Sequence, residues 1–98
     1  MDLKLKINLS CTVAWVENSI SSDSYRPSDV IESYKGLTVE IGNTDAEGRL
    51  ILADCMSYAQ FKHKTNKLVE LSTLTGAMCI ALGTSAAGCY GNNEELVS

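Results

Sequence analysis

The chain has 98 residues and a mass of 10.6 kDa, which is the size of one small domain or of a piece of a larger one. Its 45% hydrophobic and 20% charged residues, with one proline and seven glycines, are typical of a globular protein and exclude a disordered acidic tail or a low-complexity sequence. The net charge is −4, the few basic residues are scattered, and no apolar run approaches the ~20 residues that cross a bilayer. We therefore expect neither a nucleic acid nor a membrane as a partner.

The first half of the chain is predicted to contain one long strand and a β-hairpin. Apolar and polar residues alternate over residues 3–15, which predicts a β-strand with one buried face. The polar, serine-rich residues 17–28 predict a loop. Two short apolar stretches follow at residues 30–34 and 38–41, and Gly36 between them can adopt the positive φ that a tight turn requires. These two stretches therefore predict the hairpin.

The second half is predicted to contain helices and two further short strands. Residues 49–62 place apolar side chains at three- and four-residue steps, without glycine or proline, which predicts the clearest helix in the chain. Residues 68–71 and 86–90 predict strands, and residues 77–82 predict a short helix that ends at Gly83. The asparagines before Glu94 are typical of a helix start. This order predicts an α/β fold in which helices pack on a partial mixed sheet with right-handed crossovers, and in which residues 1–98 contain no internal domain boundary.

The loop at residues 43–49, Asn-Thr-Asp-Ala-Glu-Gly-Arg, is the dense polar cluster of the chain. In an extended or turn conformation, the carboxylates of Asp45 and Glu47 can point to the same side, as a hard cation requires of paired ligands. Gly48 permits backbone conformations that a side chain forbids, and Arg49 supplies a permanent cation suited to an anion or a developing oxyanion. The same residues also suit a solvated loop that caps the next helix, because acids at a helix N-terminus interact favourably with its dipole.

A calcium-binding EF-hand loop is one specific alternative for this segment. Six residues that begin with Asn43 fall at positions that such a loop uses. However, Ile51 is apolar where an oxygen ligand is usual, and Asp54 stands where a bidentate glutamate belongs. The element before the loop is also strand-like, whereas an EF-hand needs a helix there. We therefore interpret the EF-hand match as accidental.

A hydrolytic metal site is the other specific alternative, and here the sequence resembles a known family. Residues 43–50, Asn-Thr-Asp-Ala-Glu-Gly-Arg-Leu, are identical to the signature octapeptide of the leucine aminopeptidase (cytosol aminopeptidase) family. Small departures from the family pattern are Ser28, where glycine is usual, and Glu70, where aspartate is common. The resemblance extends over residues 7–92 and includes flanking blocks at residues 17–18, 25–30, 36–40, 52–54 and 73–77.

The resemblance implies a cytoplasmic metallo-aminopeptidase that removes N-terminal residues such as leucine from peptides. Such enzymes use two divalent ions (manganese, zinc or magnesium) and usually assemble as homohexamers. By resemblance, Asp45 is a ligand of one metal ion, Glu47 bridges both, and Arg49 is the catalytic residue that holds a bicarbonate. The segment whose backbone positions the substrate, a peptide with a free N-terminus, is matched by Thr73, Leu74 and Gly76.

The resemblance also implies that the metal site needs ligands that these 98 residues do not supply. In the family, the other metal ligands (a lysine and two aspartates) and a catalytic lysine come from a segment that precedes the matched one. We therefore expect residues 1–98 to be a central fragment of a larger α/β aminopeptidase catalytic domain, inactive alone. Two hypotheses follow: a piece of an aminopeptidase whose activity resides in the full-length enzyme, or a non-catalytic module of the same fold that associates with intact subunits through exposed strand edges.

Overall fold

The computed structural model describes residues 4–18 and 20–98. Within these residues, two short strands precede three helices. The strands are β1 (Val30–Glu32) and β2 (Thr38–Glu40). A 3₁₀ turn at Thr44–Ala46 leads directly into the long helix α1 (Glu47–His63). The short helices α2 (Ala77–Leu82) and α3 (Glu94–Val97) follow.

The two strands form the predicted hairpin. They pair antiparallel, with Ile31 opposite Val39. The turn between them is closed by the Gly36 N–H, which donates to the Ser33 carbonyl at 2.8 Å, and by the Ser33 N–H, which donates to the Leu37 carbonyl at 2.8 Å. Gly36 has φ 81°, a conformation that a residue with a Cβ rarely adopts, so the turn depends on this glycine.

The hairpin is held against α1 by aromatic packing and one hydrogen bond. The ring centroid of Tyr34 lies 5.6 Å from that of Tyr58 and 6.4 Å from that of Phe61, both in edge-to-face geometry. The backbone N–H of Tyr34 donates to Oδ1 of Asp54 at 2.9 Å. These contacts fix the hairpin beside the helix that begins at the polar loop.

The three predicted helix signals all form helices. The clearest one, predicted at residues 49–62, is formed as Glu47–His63, two residues longer at its N-terminus and one residue longer at its C-terminus. The helix predicted at residues 77–82 has these bounds, and the Gly83 N–H closes it by donating to the Cys79 carbonyl at 2.9 Å. The last helix begins after Asn93, whose side chain accepts a hydrogen bond from the Leu96 N–H at 3.1 Å. These local signals are therefore confirmed.

Three predicted strands are wrong for the residues that the structure describes. Residues 4–15, 68–71 and 86–90 are irregular, and Leu3 of the first predicted strand lies outside the described residues. Alternation of apolar and polar residues predicts which face of a strand is buried, but a strand forms only beside a hydrogen-bonding neighbour. The described residues form one sheet of two antiparallel strands, so the predicted mixed sheet and its crossovers are not formed within these residues. Strands and helices are both present, as the α/β class requires.

The described residues bury little apolar surface. The buried hydrophobic side chains are Ile41 and Ala59, whereas large apolar residues such as Trp15 (94% exposed) and Leu71 (90%) face outwards. The accessible surface is 9227 Å², against about 5,500 Å² expected for a compact protein of this mass. The radius of gyration is 16.3 Å, against about 13 Å for a compact chain of this length. The fold is therefore open, and its apolar surface lacks a cover.

None of the helices in the part of the chain that the structure describes has the length and apolarity needed to span a bilayer.

Candidate active-site cleft

The polar loop after β2 is shaped by a capping asparagine. Asn43 has an extended backbone, and its Oδ1 accepts a hydrogen bond from the Asp45 N–H at 2.9 Å. Its carbonyl accepts a second bond from the Ala46 N–H at 3.2 Å. The chain then makes the 3₁₀ turn, so that Asp45 lies in the turn and Glu47 is the first residue of α1. Both acidic residues therefore lie at the start of the helix, two positions apart.

A cleft of about 460 Å³ lies beside this loop and gathers most of the predicted site residues. One wall is the start of α1, and the opposite wall is the irregular segment before α2. Gly76 does not line the cleft; it lies just before the first residue of α2. The structure thus brings together five of the six predicted site residues, which are Asp45, Glu47, Arg49, Thr73 and Leu74.

Part of the cleft wall consists of residues that were not predicted from the sequence. Residues 12–14 of the N-terminal segment line it, as does the half-buried Cys55 on α1. The alternating pattern of residues 3–15 predicted a strand, but nothing in that pattern indicated what its residues face. No signal in the sequence could have placed residues 12–14 at this site, because they lie about 30 positions from the polar loop.

The two walls of the cleft approach closely at Gly48. A Cβ added to this glycine would lie 2.9 Å from Cδ1 of Leu74, well inside ordinary van der Waals contact. Gly48 is half-buried between Glu47 and Arg49, so this contact joins the carboxylate-bearing turn to the segment before α2.

A second, larger cleft of about 740 Å³ also borders the loop. It shares Asp45 and Glu47 with the first cleft, so these two residues line both. The charged residues that line it, within the described chain, are all acids; they include Glu17, Asp23 and Asp54. These acidic side chains surround the loop with negative charge, which favours the binding of cations over that of anions.

The donor set at the loop suits a divalent cation but does not complete a site for one. Carboxylate oxygens such as those of Asp45 and Glu47 are the ligands that manganese and magnesium prefer. Residues 4–18 and 20–98 contain no cluster of three or more His, Cys, Asp or Glu side chains that could hold a metal ion. Two side chains supply only part of the about six oxygen ligands that such an ion takes. The loop therefore fits as a contributor to a metal site.

Comparison with known proteins identifies the family. The family model for the "Cytosol aminopeptidase family, catalytic domain" matches residues 1–98. A probable cytosol aminopeptidase of Rickettsia canadensis (strain McKiel) is 52% identical over 95 residues, which are 97% of this chain and 19% of that protein. A probable cytosol aminopeptidase of Fusobacterium nucleatum is 47% identical over 94 residues, 96% of this chain and 20% of that protein.

A solved structure agrees with the sequence matches. The structure of a tomato leucine aminopeptidase mutant superposes with a TM-score of 0.63 at 49% sequence identity, and it covers 68% of this chain and 13% of that one. The chain thus spans about a fifth of the length of the curated relatives it matches. With a family model matched over its whole length, this chain belongs to the cytosol aminopeptidase family of peptidases and lies within that family's catalytic domain.

Proposed function

We propose that this chain is part of a metal-dependent aminopeptidase and carries half of a two-metal site. The observation that carries the proposal is the shared cleft, in which Asp45, Glu47 and Arg49 face the segment that contains Thr73 and Leu74. The substrate is a peptide with a free N-terminus, from which the enzyme removes residues such as leucine in the cytoplasm. The family match and the names of the relatives support this reaction class.

The residues of the cleft divide the work of peptide hydrolysis. With manganese, zinc or magnesium bound, Asp45 would be a ligand of one divalent ion and Glu47 would be a carboxylate shared by both, and the negative charge of Glu47 would offset the repulsion between the two ions. When bound, two such ions activate a water and polarise the scissile carbonyl. The guanidinium of Arg49 would hold a bicarbonate, which would supply a base for the attacking water, and the positive charge of Arg49 would favour the developing oxyanion. The substrate backbone is oriented by the backbone of Thr73, Leu74 and Gly76.

On this proposal, the metal site and the sheet are completed by further residues of the kind that the longer relatives contain. The described residues offer two carboxylates at the loop, too few ligands for two ions. We propose that the segments at residues 3–15, 68–71 and 86–90, which have strand patterns in their sequences but whose described residues are irregular, form strands only within the mixed sheet of a larger α/β domain, and that the full-length enzyme is a homohexamer. On this proposal, the 98-residue chain alone is inactive.

A second candidate is a non-catalytic module of this fold that associates with intact subunits. The observation that favours it is the exposed apolar surface, which includes Trp15 and Leu71 and needs a protein cover of some kind. The two candidates differ in one respect that can be measured. The first requires Asp45 and Glu47 to support turnover once the missing ligands are supplied, and the second does not.

The decisive experiment supplies those ligands by making a chimera. The matching segment of the Rickettsia canadensis relative is replaced by this chain, and hydrolysis of leucine p-nitroanilide is measured with added Mn²⁺. We expect the chimera to turn over, and Glu47→Ala to lower kcat/KM by roughly 100-fold or more, because a bridging ligand of both ions is lost. The matched control is Glu40→Ala on β2, an exposed glutamate outside both clefts, which should leave kcat/KM within about twofold.

The 98-residue chain itself provides the complementary arm. With Mn²⁺ added, it should hydrolyse no leucine p-nitroanilide above the level of the Glu47→Ala chain. Turnover by the isolated chain that requires Glu47 would contradict the proposal that it is inactive alone. A chimera that unfolds cooperatively but has no activity would favour the non-catalytic module instead.

A further inference from the structure

Asp54 is an acidic residue that the EF-hand alternative places at a ligand position and that the proposed mechanism does not use. It is half-buried on α1, seven residues after Glu47, which puts it about 10 Å further along the helix axis and on the same face. Both residues line the larger cleft. Within residues 4–18 and 20–98, however, Asp54 does not join Asp45 and Glu47 in a group of three that could hold a metal ion.

The carboxylate of Asp54 is bonded instead to the hairpin. Its Oδ1 accepts the backbone N–H of Tyr34 at 2.9 Å, the usual length of such a bond. Tyr34 follows β1 at the turn end of the hairpin, and its ring packs against Tyr58 and Phe61 of α1. The hydrogen bond gives this contact a defined position, because a hydrogen bond is directional whereas hydrophobic contact is not.

The hairpin and α1 face each other across the larger cleft. Ile31 and Val39 line this cleft from the two strands, and Leu50 and Ile51 line it from the helix. Among the described residues, the backbones of the strands are not in close contact with the backbone of α1. The two elements are joined by residues 41–46 at one end of the hairpin and by the contacts of Tyr34 at its other end.

We infer that Asp54 is a positioning residue, which holds the turn end of the hairpin to α1 and so sets how β2 delivers the chain into the metal-binding turn. This inference rests on the proposed function. The hairpin is one hydrogen-bonded unit and α1 is one helix, so a change in the angle between them is taken up by residues 41–46. Asp45 lies in that connection, whereas Glu47 lies on the helix. Such a change therefore alters the spacing of the two proposed ligands.

The test measures Mn²⁺ binding by the chimera described above. Asp54→Ala removes the acceptor, and we expect the Mn²⁺ concentration at half-saturation, measured by isothermal titration calorimetry, to rise about tenfold. Asp54→Asn keeps an acceptor oxygen without the charge, so its half-saturation should stay within about twofold of the parent chimera. In the metal-free chimera, the Tyr34 amide should exchange its hydrogen faster in the alanine variant and at the parent rate in the asparagine variant.

Asn93→Ala is the matched control for a loss of stability. Asn93 accepts the Leu96 N–H at 3.1 Å and lies outside both clefts, so this variant also loses one bond from a side chain to the backbone. Like Asp54→Ala, it should lower the urea midpoint of unfolding, but Mn²⁺ half-saturation should stay within about twofold. If Asp54→Ala is destabilised and still binds Mn²⁺ as Asn93→Ala does, the role of Asp54 is purely structural and the inference is overturned.

The asparagine variant separates the hydrogen bond from the charge. If Asp54 acts as a metal ligand or through its charge, Asp54→Asn weakens Mn²⁺ binding as much as Asp54→Ala does, and this result also overturns the inference.

If Asp54→Ala does not fold, Asp54→Glu takes its place. Its carboxylate reaches one methylene further and displaces the hairpin, so half-saturation should rise severalfold above that of Asp54→Asn. A glutamate variant that binds Mn²⁺ like the parent chimera contradicts the inference. All of these outcomes leave the proposed function intact, whereas a chimera without turnover that depends on Glu47 overturns the proposed function and the inference with it.

Discussion

The conformation of the polar loop depends on a single side chain. Asn43 accepts the Asp45 N–H at 2.9 Å and so satisfies a donor at the start of the turn that has no helical partner. This bond also fixes the backbone from which the Asp45 carboxylate projects. The residue that orders the loop is therefore distinct from the residues that are proposed to bind metal.

Replacing Asn43 should separate these two roles. Asn43→Ala removes the acceptor and should lower the free energy of unfolding of the chimera by about 1 kcal/mol, whereas Asn43→Ser keeps a capping oxygen and should retain most of it. Urea denaturation measures both variants, and Mn²⁺ activation should weaken in the alanine variant and largely recover in the serine one. Equal stability of the two variants would mean that the side-chain bond does not stabilise the turn.

At the scale of single residues, some features of the site could be predicted from the sequence and others could not. The position of Asp45 and Glu47 at the start of a helix follows from short-range chemistry, and the structure has Asp45 in the 3₁₀ turn and Glu47 as the first residue of α1. Their roles as ligands come from the family resemblance and stay predictions. The contact between Gly48 and Leu74 could not be predicted, because it joins positions 26 residues apart and depends on how the chain returns to the loop.

At the scale of elements, helices were predicted well and strands poorly. A helix satisfies its backbone groups internally, so residues 77–82 and the core of α1 could be read from local spacing and from a terminal glycine. The hairpin is also local, because its two strands are joined by a short turn. The other predicted strands need distant neighbours, and the described residues provide none for them.

The end of α1 offers a prediction with an internal control. Lys64 follows the helix with φ 52° and ψ 39°, the left-handed conformation in which glycine is preferred. Lys67, three residues on, is exposed and has no positive φ. Lys64→Gly removes the steric cost of that conformation, which offsets the entropy that glycine loses on folding.

We therefore expect the two identical substitutions to differ. The chimera with Lys64→Gly should be more stable than the one with Lys67→Gly by about 1 kcal/mol, measured as the difference in unfolding free energy in urea. Both variants lose one positive charge, and Lys64, at the C-terminus of α1, would also lose a favourable interaction with the helix dipole, so electrostatics acts against the expected difference. If Lys67→Gly is as stable as Lys64→Gly, the left-handed conformation of Lys64 is not maintained in solution.

At the scale of the whole molecule, the apolar surface explains why the predicted sheet is not formed. The residues that alternate in the N-terminal segment, such as Leu9 (81% exposed) and Trp15 (94%), have the pattern of a buried face without anything to bury it. The chain spans about a fifth of the length of its relatives, and its accessible surface exceeds that of a compact protein by more than half. The sequence thus has the pattern of a buried face that residues 4–18 and 20–98 do not cover.

This imbalance predicts how the isolated chain unfolds. With Ile41 and Ala59 as the buried hydrophobic residues, burial cannot offset the conformational entropy of ordering about 98 residues, so we expect no cooperative thermal transition. The same sequence inside the chimera should unfold within a single cooperative transition. Calorimetry and near-ultraviolet circular dichroism distinguish the two cases, and the isolated chain should also bind the dye ANS through its exposed apolar side chains. A sharp transition of the isolated chain, with an enthalpy near the roughly 60–80 kcal/mol typical of a 100-residue domain, would instead mean that it folds as an independent unit.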